Sequence, residues 1–142
     1  MDLPPPATLS DRVREFLGQP LYPTLATAGS DGTPHQAVIW FRLEPDDRIL
    51  VNSRSPRRWP TELRAAGRAS LAVTDPADAM RWVGLQVVVE EVIDDVAVAR
   101  EDIVSLAVRY EEDEEESAAS FRTQERISFR LRITAVHDHL EE

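Results

Sequence analysis

A chain of 142 residues, 42% of them hydrophobic, makes one domain with a core of modest size. Its formal net charge of −10 excludes a nucleic-acid partner, because holding a polyanion needs a basic face that gains by counterion release. The absence of cysteine excludes disulfides, thiolate nucleophiles, iron–sulfur clusters and thiolate zinc sites, and because every basic residue is arginine there is no Schiff-base or general-base lysine.

Residues 1–9 form a stiff, proline-rich leader and residues 10–142 a single domain. The opening Met1-Asp2-Leu3-Pro4-Pro5-Pro6 lacks the basic and apolar regions of a signal peptide, and no apolar run has the length of a membrane span. The expected location is therefore cytoplasmic, with no membrane partner. Ser10 is placed to cap a helix through Val13, Phe16 and Leu17 that stops at Gly18. Tyr22 to Ala28 reads as a strand, and Gly29-Ser30-Asp31-Gly32-Thr33-Pro34 has turn chemistry. The next strand is expected from His35 to Leu43; after a turn at Pro45-Asp46-Asp47 a third strand runs from Arg48 to Ser53.

Pro60 to Gly67 reads as a short helix with Leu63 inward, and Ala69 to Thr74 as a strand ended by Asp75-Pro76. A long strand follows from Arg81 to Ile93, then a helix from Val96 to Tyr110 with Ile103, Leu106, Ala107 and Tyr110 on one stripe. The acid run Glu111 to Glu116 reads as a solvated helix end or loop. The last strand, Glu125 to Val136, alternates Ile127, Phe129, Leu131 and Ile133 against Ser128, Arg130 and Arg132. Hairpin-length connections without regular strand–helix alternation predict a mainly β protein, a small antiparallel barrel with flanking helices.

Between Arg54 and Arg68 the acidic chain concentrates five arginines against one carboxylate, Glu62. Within this stretch Ser53, Arg57 and Arg58 come together at a strand end and a helix N-terminus, where hydroxyl, guanidinium and free N–H groups suit a phosphate. A solvated arginine-rich loop is the competing reading. Trp40, in the apolar run Ala37-Val38-Ile39-Trp40-Phe41, is either a wall for a planar ring or an ordinary core tryptophan. His137 and His139 fall on the same side of an extended segment, but without an evident third ligand no metal site is expected.

The segments Leu25-Ala26-Thr27, Asp31-Gly32-Thr33-Pro34, Val38-Ile39-Trp40, Val51-Asn52-Ser53, Arg57-Arg58-Trp59 and Arg68 to Pro76 resemble, in order and spacing, the pyridoxamine-phosphate-oxidase-like split-barrel family. The pattern is most similar to the actinobacterial branch that uses the deazaflavin coenzyme F420, and the lysine-free composition suits a GC-rich genome. The resemblance implies a six-stranded antiparallel split barrel of the FMN-binding type that forms a homodimer, with cofactor in grooves shared by both subunits. It implies that Ser53, Arg57 and Arg58 hold the cofactor phosphate, that Trp59 stands where many members have lysine, and that Pro60 opens the helix. Trp40 and Trp59 would line the ring or substrate groove, Val38 would also contact the cofactor, and Gln86 matches a glutamine at the ring edge. Ala37 and Arg42 replace an arginine and a lysine of the flavin oxidases, and Val136-His137-Asp138-His139 lacks the arginine-rich signature for vitamin B6 substrates. The implied activity is F420-dependent hydride transfer to or from a small organic substrate. FMN in the same groove and a non-catalytic cofactor-binding barrel, to which Trp59 in place of lysine and Val87 in place of a common glycine point, are the alternatives.

Overall fold

The computed structural model describes residues 2–141. The elements in chain order are α1 (Asp11–Leu17), β1 (Thr24–Ala28), β2 (Pro34–Val38), β3 (Arg42–Leu43), β4 (Ile49–Arg54), α2 (Arg58–Ala66), β5 (Arg68–Asp75), β6 (Asp78–Ile93), α3 (Val96–Arg109), α4 (Glu114–Phe121) and β7 (Arg126–His139). All strand pairs are antiparallel, in the order β2-β1-β5-β6-β7-β4-β3. This is the expected mainly β class, an antiparallel split barrel with helices outside.

The sheet has seven strands rather than six, and the difference has a physical cause. The segment expected as one strand from His35 to Leu43 leaves the ladder after Ile39, whose N–H donates to Pro23 O at 3.1 Å, and rejoins at Arg42 opposite Leu50. Its first half is one edge of the sheet and its last two residues are the other edge, so the link through Trp40 and Phe41 closes the barrel covalently. Alternation persists through the break: Ile39 and Phe41 enter the main core while Trp40 packs outward against the smaller cluster of Leu50, Ile103 and Leu106.

The freed backbone at the break is satisfied from α3. Tyr110 Oη accepts from Phe41 N at 3.2 Å and donates to Leu21 O, and Arg109 Nε donates to Phe41 O at 2.8 Å. Arg109 also reaches Gln19 O at 2.6 Å, tying down the chain after α1. Burial pushes the Tyr110 phenol above its ordinary pKa, so it stays a neutral donor at neutral pH.

Strand β4 reads as a continuous apolar run because both of its faces are covered. Ile49 and Val51 face the barrel interior, whereas Leu50 and Asn52 face α3. Helix α2 buries Trp59, Pro60 and Leu63 and ends at Gly67, whose φ of 73° makes the left-handed cap that a side chain disfavours. The acid run proves to open a helix. Asp113 caps α4 by accepting from Glu116 N, and Glu114, Glu115 and Glu116 fill the first turn, where negative charge complements the helix dipole.

Replacing Tyr110 with phenylalanine removes both bonds of the hydroxyl and leaves Leu21 O and Phe41 N buried without it. The expected cost is about 1–3 kcal/mol in denaturant unfolding. Trp40 fluorescence should change with it, since the Trp40 and Tyr110 rings stack at 5.2 Å.

Candidate functional site

The strand period decides which side chains of β4 reach a site. Ser53, on the face of Ile49 and Val51, is 1% exposed, and its Oγ is buried without a hydrogen-bond partner among the described residues. Asn52, one residue earlier, turns the opposite way. There a cavity of about 440 Å³ opens between β2, β4, α2 and α3, with Val38, Trp40, Arg57 and Trp59 on its walls together with Tyr22, Asn52, Phe121 and Arg126. Four of the residues singled out from the sequence are thus brought together.

The other four lie elsewhere. Arg58 lines a neighbouring hollow with Gly29, Ser30 and Glu62, and Pro60 lines a third with Arg64 and Asp94. Gln86 lies on the uncovered outer face of the sheet, beside Ala26, Ala72 and Gly84. Ser53 lines none of these hollows. Trp59 serves two purposes: it borders the cavity but is only 8% exposed, with its ring tilted against Phe129 at 6.3 Å in the barrel core. Trp40 is half-buried, stacked on Tyr110, with its remaining face toward the cavity.

The walls are aromatic and the charge is positive. Arg48, Arg130 and Arg132 meet Glu44, Glu90 and Glu91 in ion pairs on the far part of the sheet. Arg54, Arg57 and Arg126 have no carboxylate partner among the described residues. Arg126 and Asn52 are the polar groups that sequence reasoning missed. A signal existed for Asn52, a lone amide beside the apolar run Ile49-Leu50-Val51 that needs buried partners and finds them in Ala99 O and Ser128 Oγ, each at 2.8 Å. None existed for Arg126, whose contact with Asn52 spans the chain from β7 to β4.

The hollow beside Arg58 has its own polar center. Glu62 accepts from Thr27 Oγ1 at 2.8 Å and meets His35 Nδ1 at 2.9 Å, which locks α2 onto the β1–β2 hairpin. Burial pushes the Glu62 carboxyl up, but the bonds from Thr27 and His35 and the charges of His35 and Arg58 outweigh it and hold the group below its usual range. Among the described residues no group of three or more metal-ligating side chains comes together, and the His137 and His139 rings instead stack on each other at 4.4 Å and on Trp82. Among the described residues no helix is long and apolar enough to cross a membrane.

The family model for pyridoxamine 5'-phosphate oxidase matches residues 9–140. The chain belongs to this family. Solved structures of the same fold include an F420 reductase, 23% identical with a TM-score of 0.76, covering 91% of this chain and 98% of that one. A conserved hypothetical protein, Rv2991 from Mycobacterium tuberculosis, is 21% identical with a TM-score of 0.73 over 94% of this chain and 87% of its own. The heme storage protein HutZ from Vibrio cholerae is 18% identical with a TM-score of 0.70, over 93% and 95%. At these identities the likeness is one of fold. No curated protein matches the chain. Within the pyridoxamine 5'-phosphate oxidase fold, the break between β2 and β3 puts Trp40 into the cavity wall and α2 brings Arg57 to its rim.

A depressed carboxylate pKa in the folded state gives stability that is complete above the unfolded value and is lost as pH falls through the folded one. The stability gap between the parent and Glu62→Gln, followed by urea unfolding, should therefore persist from pH 7 down to the ordinary glutamate range. It should close below that range as Glu62 takes up its proton.

Proposed function

We propose that this protein is an oxidoreductase that binds the deazaflavin F420 and serves hydride transfer between it and an unsaturated or carbonyl-containing small molecule. The observation that carries the reading is the joining, in one cavity, of aromatic walls with arginines that lack carboxylate partners among the described residues. The donor set fits an anionic, ring-bearing cofactor. Trp40 and Trp59 offer ring faces, Val38, Ile39, Ile103 and Phe121 keep water from the ring, and Arg57 offers charge for a phosphate at the open rim. When bound, the deazaflavin supplies the carbon that gives or accepts hydride, and the chain supplies position and electrostatics.

The structural neighbor that is an F420 reductase supports F420 as the cofactor. FMN in the same cavity is the second reading, supported by the family match itself. Titrating the purified protein with F420 and, separately, with FMN, by fluorescence and then by hydride turnover, tests both. Binding of F420 without FMN is the expected result. Binding of FMN alone overturns the choice of cofactor, and tight binding with no turnover on any acceptor leaves a cofactor-binding barrel.

A homodimer goes with this reading. Val38 is 69% exposed and Met80 80%, and among the described residues the open hollow at Gln86 on the outer sheet face is lined by strand residues alone. A second copy on these surfaces would bury them and bring its own groups toward the cavity rim. Light scattering at micromolar concentration should give twice the mass of the 16.0 kDa chain; a monomer with cofactor still bound would refute the shared groove.

A further inference from the structure

Arg126 is 7% exposed and has no carboxylate partner among the described residues, in a chain with 26 acidic side chains to offer one. Its partners are neutral. Nε donates to Asn52 Oδ1 and Nη1 to Gln124 Oε1, both at 2.9 Å, and the guanidinium carbon lies 4.9 Å from the center of the Phe121 ring. Asn52 is fixed in turn by its own bonds to Ala99 O and Ser128 Oγ, and Ser128 Oγ donates to Asp102 Oδ2 at 2.8 Å. The fork is therefore held in one orientation at the wall of the cavity, with Nη2 making no hydrogen bond among the described residues. Burial, and after it repulsion by Arg57 and then Arg54, pulls the group below its ordinary value to about 10, still charged at neutral pH.

A buried cation whose hydrogen bonds go to neutral acceptors, and which makes no ion pair among the described residues although Asp94 and Glu125 line the next hollow, is costly to the folded chain, and a neutral donor would satisfy Asn52 Oδ1 at lower cost. The arrangement is complementary to an anion that the cavity receives. We propose that Arg126, clamped by Asn52 and Gln124 beside Phe121 with Arg57 at the rim, is the anchor for a phosphate group of the ligand. The inference rests on the reading of this cavity as the ligand site, and it shifts the main anion contact from the exposed Arg57 and Arg58 to a side chain on β7. An exposed guanidinium is screened by water and gains little from an anion, whereas a preoriented one in low dielectric gains much more.

Inorganic phosphate is the probe for the apo protein, with chloride at matched ionic strength as the control. Phosphate should raise the melting temperature of the parent above the chloride value. Arg126→Gln should still unfold cooperatively but lose that response, while Arg57→Gln keeps most of it. The affinity for whichever of F420 or FMN binds should fall about 30-fold in Arg126→Gln, the range of a charge-assisted bond, against about threefold in Arg57→Gln. Should Arg126→Gln fail to fold, the Arg126 ε-NH resonance of the ¹⁵N-labelled parent decides: it should move on phosphate addition, and an unmoved resonance overturns the proposal. A phosphate response absent from the parent, or abolished by Arg57→Gln and kept by Arg126→Gln, also overturns it. An Arg126-dependent phosphate response without F420 or FMN binding sustains the anion site and refutes the cofactor reading. Equal cofactor affinity in the parent and Arg126→Gln refutes the anchor and leaves the cofactor reading intact.

Discussion

The hydroxyl of Tyr110 holds the place where the barrel closes. A chain that must be one edge of a sheet at Val38 and the opposite edge at Arg42 has to leave its ladder in between, and the backbone groups it frees there are buried. Tyr110 and Arg109 answer them from the last turn of α3 and at the same time bind Leu21 and Gln19. Burial of an unpaired N–H or C=O costs as much as a good hydrogen bond gains, so the break exists only because α3 docks beside it. Trp40, stacked on the Tyr110 ring, is aimed by the same contact. Closure of the fold and the shape of the cavity wall are therefore one structural event.

Charge is distributed along the same line. On the part of the sheet carrying β7 and the end of β6, arginines and glutamates alternate and neutralize one another through Arg48, Arg130 and Arg132. Near the start of β7 and the N-terminus of α2 the pattern stops, and Arg54, Arg57 and Arg126 repel one another without an ion-pair partner among the described residues. A protein with net charge −10 thus keeps a local positive site, with its excess acid placed on the first turn of α4 and other solvated positions. The contrast within one strand is informative: Arg126 and Arg130 share a face of β7, but only Arg130 meets glutamate.

Much of the fold was legible in the sequence. Alternation in β7, the apolar stripe of α3, the turn at Gly29 to Pro34 and the cap at Ser10 are local consequences of side-chain period and capping chemistry, and each lies where its residues imply, with β7 running on to His139. The site was legible in part. Val38, Trp40, Arg57 and Trp59 do share one cavity, whereas Arg58, Pro60, Gln86 and Ser53 are carried to other surfaces or inward by helix rotation and strand period. Helix α4 was hidden because its acidic first turn looks like a solvated run until Asp113 caps it and Phe121 packs near Leu50.

By itself the sequence determined the class of fold, the family and the presence of an arginine-rich turn, since each follows from residue order over spans of a few to a dozen positions. The tertiary structure alone decided that the second strand is broken, that Asn52 rather than Ser53 faces the cavity, and that Arg126 is buried there without a counter-ion among the described residues. Those outcomes depend on contacts between residues 69 to 76 positions apart, such as Phe41 with Tyr110, Arg126 with Asn52 and Asn52 with Ser128. Local period and composition carry no record of such contacts, because what decides them is which buried polar groups find partners once the strands have closed on one another.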